Sequence, residues 1–112
     1  MPSIAKIIRP DDNAAVNPTP TLTSTNPTTT LAGSAGFTLT INGSNFINGS
    51  TVRWNGANRP TTYVSAAQLT AIIPASDVAL AGAAQVTVFN PLPGGGLSAS
   101  QTFTIKRAKR PR

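Results

Sequence analysis

The sequence has 112 residues, enough for one small domain and too few for two. It contains no His, Cys or Glu, and Asp11, Asp12 and Asp77 are its only acidic side chains. Imidazole and thiolate catalysis, Cys/His metal sites and paired-glutamate hydrolysis therefore have no residues to run on.

Ser and Thr are plentiful, but a hydroxyl nucleophile needs a neighbouring base, and no imidazole is present to serve as one. The expectation is a non-enzyme with no cofactor, no metal site and no small-molecule substrate. The net charge of +6 is uneven: residues 1–16 sum to zero, residues 17–105 to +1 and residues 106–112 to +5. The basic character belongs to the tail. No apolar run approaches the roughly 18 residues of a membrane span.

Residues 1–16 read as an N-terminal arm, with Ile4, Ile7 and Ile8 as its large aliphatics before Val16 and Pro10 to stop a helix. The stretch Asn17–Thr30 is rich in Pro and Thr, so Thr21–Thr25 is expected as an edge strand. Phe37, Leu39 and Ile41 then alternate with Thr38 and Thr40, the period of a half-buried strand. Asn42-Gly43 is expected to close that strand, and Asn48-Gly49 to turn again after Phe46. Thr51–Asn55 follows, with Val52 and Trp54 inward and Arg53 outward.

Asn55-Gly56 makes the next turn, and Arg59–Val64 is expected as one short edge strand marked by Pro60. Gln68–Ile73 places Leu69, Ala71 and Ile73 on one face. Ala75–Gly82 is the one helix-compatible piece, capped by Ser76 or Asp77, with Val78 and Leu80 expected against the end of the fold. Gln85–Phe89 is a strand with Val86 and Val88 on one face. Asn90–Gly96 forms a hairpin loop, and Leu97–Ile105 is the last strand, with Phe103 and Ile105 inward.

About seven short strands, regular turn signals and a central Trp specify an all-β antiparallel sandwich over residues 17–105. Its core candidates are Leu22, Phe37, Leu39, Ile41, Phe46, Val52, Trp54, Leu69, Ile73, Val86, Val88, Phe103 and Ile105. Each large buried side chain contributes about 1.5–3 kcal/mol, so such a core needs neither disulfide nor metal.

Several stretches carry a family resemblance. They are Pro27-Thr28-Thr29, Ala32-Gly33, Phe37-Thr38-Leu39-Thr40-Ile41-Asn42-Gly43, Asn45-Phe46 and Val52-Arg53-Trp54-Asn55-Gly56. The series continues in Leu69-Thr70-Ala71-Ile72-Ile73-Pro74, Val86-Thr87-Val88-Phe89-Asn90-Pro91, Gly94-Gly95-Gly96 and Phe103-Thr104-Ile105. In this order the segment resembles an IPT/TIG domain of the bacterial surface-protein type. The resemblance implies an immunoglobulin-like sandwich, no catalytic residue and no particular partner. Such units often stand in tandem, whereas this sequence shows one unit and no internal repeat.

Three residue groups are candidates for contact. Ile4, Ile7 and Ile8 could pack on a neighbouring copy or add a strand to its open edge, against the plainer reading of a disordered leader. Lys106, Arg107, Lys109, Arg110 and Arg112 form a basic tail able to neutralise phosphates of nucleic acid or another polyanion, against the plainer reading of a solvated end. Arg53, Arg59, Tyr63, Thr87 and Phe89 are expected to share one surface near the middle strands, where an exposed Phe beside Arg suits a protein or glycan contact. For Phe89 the favoured reading is a ring tucked beneath the loop Pro91–Pro93, with exposure beside Arg53 as the alternative. Two further patterns read as structural: Asn42-Gly43-Ser44 and Asn48-Gly49-Ser50 match the glycosylation triplet but serve turns. Asp11-Asp12-Asn13 is too short to wrap a cation.

The expected role is a structural or interaction module of a bacterial cell-surface or extracellular assembly, touching copies of itself or other proteins. The alternative is a phage or virion component, capsid-decorating or tail, and a weaker one is non-specific nucleic-acid contact through the tail. A secreted piece would be extracellular. A chain natively starting at Met1 would be virion-borne or cytoplasmic.

Overall fold

Alternation of aliphatic residues with Thr, Asn and Gln gives each main strand one apolar and one polar face, so two sheets bury their apolar faces together. The computed structural model describes residues 16–107. Its strands in chain order are β1 (Thr21–Asn26), β2 (Thr29–Leu31), β3 (Phe37–Ser44), β4 (Thr51–Trp54) and β5 (Ala57–Arg59). They continue with β6 (Thr61–Ser65), β7 (Gln68–Ile73), β8 (Gly82–Asn90), β9 (Gly96–Leu97) and β10 (Gln101–Lys106). One sheet has the order β1-β3-β7-β6, the other β2-β10-β8-β4-β5 with β9 beside β8. Every pairing between these strands is antiparallel except that of β2 with β10. The fold is an immunoglobulin-like β-sandwich.

The core lies between the sheets around Phe103, whose ring sits 5.1 Å from that of Trp54 and 5.6 Å from that of Phe37. Every expected core residue is buried except Phe37, which is half-buried and packs against the cluster. Ala71, Ala84 and Val78 complete it.

Four expectations are corrected. The single strand Arg59–Val64 is two strands in different sheets, because the chain crosses between layers at Pro60. The strand Leu97–Ile105 is broken at Ser98, whose hydroxyl accepts from the Val88 amide (2.9 Å) and donates to the Ala99 carbonyl (2.8 Å), replacing ladder bonds. Asn42-Gly43 does not close β3; the strand runs through both residues to Ser44. The helix-compatible piece is one 3-10 turn, Ala75–Val78, with no side-chain cap, and Leu80 is 81% exposed while Val78 is fully buried. The strand β2 was hidden in a run of threonines without alternation, since an edge strand needs no apolar face. Among the described residues no helix is long and apolar enough to cross a membrane.

Candidate interaction surface

The outer face of the larger sheet is built on β4 and β8. Arg53 lies directly opposite Thr87, and Thr51 opposite Phe89, so Arg53 and Phe89 are diagonal neighbours on one face. The Arg53 guanidinium carbon stands 4.2 Å from the centre of the Phe89 ring, a cation–π contact. Its Nε donates to the Asn58 side-chain oxygen at 3.0 Å, which fixes the plane of the fork. Leu97 on β9 faces Phe89 across the next strand and is half exposed. The result is an aromatic–aliphatic strip with one oriented cation on it. Phe89 lies half-buried on the outer sheet face, beneath the Arg53 guanidinium and opposite Leu97 in register.

The expected surface of Arg53, Arg59, Tyr63 and Phe89 is divided by the structure. Arg59 pairs with Val52, so its side chain follows the inward face of β5 to the sheet margin. There its Nε and Nη2 donate to the two Asp77 oxygens at 2.5 and 2.6 Å. These hydrogen bonds raise the Arg59 pKa above its ordinary value, against the opposing effect of burial. Tyr63 lies on β6 in the other sheet, opposite Leu69 of β7, and is 41% exposed at that sheet's margin. The period-2 reading missed the division because Pro60 moves the chain from one layer to the other between Arg59 and Tyr63.

Asp77 is the one acidic side chain among the described residues, and Arg59 holds it. Arg53 therefore has no carboxylate partner among them. Lys106 and Arg107 are exposed where the chain leaves β10. Ile4, Ile7, Ile8, Lys109, Arg110 and Arg112 lie outside the described residues.

A family model described as "IPT/TIG domain" matches residues 20–105. The chain belongs to the IPT/TIG domain family. No curated protein matches its sequence. Among solved structures, a crystal structure named "Putative phosphatase" from Bacteroides thetaiotaomicron is 20% identical, with a TM-score of 0.49. The similarity covers 82% of this chain and 19% of that one, so the chain spans about a fifth of that protein.

In this IPT/TIG domain one pole of the sandwich is fastened by a buried residue that sequence reasoning overlooked. The Asn90 amide nitrogen donates to the carbonyls of Pro18 and Asn45, both at 2.9 Å, while its oxygen accepts from the Ser50 hydroxyl. Asn17 adds bonds to Pro91 (2.6 Å), Pro93 (2.8 Å) and Gly95 (2.7 Å). The signal was available: Val86, Val88 and Asn90 share one period-2 face, which puts the Asn side chain in the core. Leu97 also went unnoticed, because its alignment with Phe89 depends on the loop that joins β8 to β9. The pole ties the end of the sandwich together, and the Arg53–Phe89–Leu97 strip lies on the outer face of the larger sheet.

Proposed function

We propose that this IPT/TIG domain is a non-enzymatic interaction module of a bacterial cell-surface or extracellular assembly, contacting a neighbouring protein through the Arg53–Phe89–Leu97 face. The observation that carries the reading is the Arg53 guanidinium, laid on the Phe89 ring and oriented by Asn58, with no carboxylate among the described residues to neutralise it. Arg and aromatic residues on a rigid sheet are the side-chain types that anchor protein interfaces, because both bury large area at low entropic cost. The partner this chemistry fits presents a carboxylate beside an apolar surface, so that the two guanidinium nitrogens with no hydrogen bond among the described residues meet it bidentately. The non-enzymatic part rests on a sequence without His, Cys or Glu.

The test is site-specific photo-cross-linking from position 87, directly opposite Arg53, in the source cell. The expected result is one protein adduct of defined mass that weakens when Arg53→Ala is added. No adduct from position 87, or sustained turnover of a substrate by the purified chain, overturns the reading.

A further inference from the structure

Sheet edges are where a sandwich either blocks or invites another strand. Among the described residues the two sheets end on β1, β6, β2 and β5, and three of these four edges are guarded. β1 lies between Pro20 and Pro27 and carries a bulge between Leu22 and Ser24. β2 and β5 are three residues long, and β5 ends in the ion-paired Arg59 followed by Pro60. The fourth edge, β6, is Thr61-Thr62-Tyr63-Val64-Ser65: five residues, no Pro, no charge, with Tyr63 41% and Val64 52% exposed.

The hydrogen-bond alternation shows which groups this edge offers. The Ile72 amide donates to the Pro60 carbonyl at 3.0 Å, so Pro60 and Ile72 are a bonded pair. Two residues on, Thr62 and Thr70 form the next, and the backbone groups of Thr61 and Tyr63 point away from β7. Pro60 does not guard the edge, because its missing N–H lies on the β7 side. The bulge falls between Tyr63 and Ser65 and leaves Thr61–Tyr63 regular.

We infer that β6 is a docking edge for a second copy of this chain, the two β6 strands pairing antiparallel about Thr62. The inference deepens the reading of the domain as an interaction module by naming a partner at a different surface. In that register Thr61 of each copy faces Tyr63 of the other, and the outward amides and carbonyls satisfy one another. The regular three-residue segment suffices, so neither bulge is disturbed. A two-fold contact sets each residue against its own kind or its two-fold mate, so any charge near the axis would repel itself. None is present: β1, β3, β6 and β7 contain no charged residue at all, whereas the other sheet carries Arg53, Arg59 and Lys106. Arg59, the nearest cation in sequence, is held by Asp77 of its own chain. Two four-stranded sheets then become one continuous sheet with an uncharged outer face of Thr38, Thr40, Thr62 and Thr70.

Sedimentation velocity of the full chain from micromolar to millimolar tests this. The expected result is a concentration-dependent monomer–dimer equilibrium. Thr62 is exposed, so Thr62→Lys and Thr62→Glu leave the fold intact and place like charges at the axis. Each alone should weaken the dimer about tenfold or more, and an equimolar mixture of the two should restore association. Hydrogen exchange should slow with concentration at the Thr61 and Tyr63 amides. A monomer throughout the range, or a dimer indifferent to Thr62→Lys, overturns the inference. Such a failure leaves the Arg53–Phe89 face untouched, and loss of the position 87 adduct leaves this edge untouched, so the two readings fall separately.

Discussion

The Ser50 hydroxyl donates to the Asn90 side-chain oxygen at 2.5 Å, joining the residue before β4 to the last residue of β8 inside the protein. The same hydroxyl accepts from the Ile47 amide at 2.8 Å, so one buried pair organises the loop between β3 and β4. Asn90 is wholly buried and fully bonded, the arrangement in which a polar side chain fixes structure instead of weakening it.

Removing that hub should be costly. Asn90→Ala strands the Pro18 and Asn45 carbonyls and the Ser50 hydroxyl, and should destabilise the domain by about 3 kcal/mol. Ser50→Ala removes fewer bonds and should cost about 1 kcal/mol. Urea unfolding monitored by the buried Trp54 reads both. Equal midpoints for the wild type and Asn90→Ala would show that water replaces the side chain without loss.

Gly43 and Gly56 sit in the same Asn-Gly dipeptide and should respond differently to alanine. At Asn55-Gly56 both residues have positive φ, 52° and 88°, and close the two-residue hairpin between β4 and β5. A Cβ on Gly56 meets no heavy atom within 4 Å, so Gly56→Ala should cost about 1 kcal/mol of backbone strain. At Gly43 the strand continues, and a Cβ would collide with the Thr21 carbonyl and the Phe46 ring. Gly43→Ala should therefore cost about 3 kcal/mol, since backbone must move to admit it. Thermal unfolding of the two variants compares them; equal losses would contradict the close approach of β1 to β3.

These two glycines also show why part of the fold was legible and part was not. Strand positions follow from local alternation, as Phe37, Leu39 and Ile41 illustrate, and the core follows from the strands. An Asn-Gly pair needs left-handed backbone in one place and a missing side chain in another. Only the neighbouring strand, distant in sequence, decides between them. The same holds for Arg59 and Tyr63, four residues apart in sequence yet assigned to different sheets by the turn of the chain at Pro60. Of the candidate site, Arg53 and Phe89 were readable because both face outward on strands of clear period. Their pairing with Leu97 was not, because it is a register between segments.

Breaking the Arg59–Asp77 pair should loosen the contact between β5 and the 3-10 turn without unfolding the domain. The pair is bidentate and mostly covered, with side-chain exposures of 19% and 11%, so Asp77→Asn should cost about 1–2 kcal/mol. Arg59→Gln in the same background should add little, because its partner is already gone. The pH dependence has a definite sign. Asp77 raises the folded-state pKa of Arg59, so the contribution is complete below the unfolded value and fades only as pH rises through the folded one. For an arginine that window lies far above neutrality. The stability gap between wild type and Asp77→Asn should thus be the same at pH 7 and about pH 9. A gap that closed over this interval would place another titrating group in control.

Arg53 should matter little for folding and greatly for contact. A cation over an aromatic ring at a half-exposed site contributes about 0.5–1 kcal/mol, so Arg53→Ala and Phe89→Leu should show only that much coupling in a double-mutant cycle. Arg53→Lys is the sharper comparison. It keeps the charge and loses the planar fork that stacks on Phe89 and is held by Asn58. If the face recognises a carboxylate bidentately, Arg53→Lys should reduce the position 87 adduct nearly as far as Arg53→Ala while leaving the unfolding midpoint in place. Should lysine restore full cross-linking, the face would be reading charge alone, and the stacked geometry would have no part in recognition.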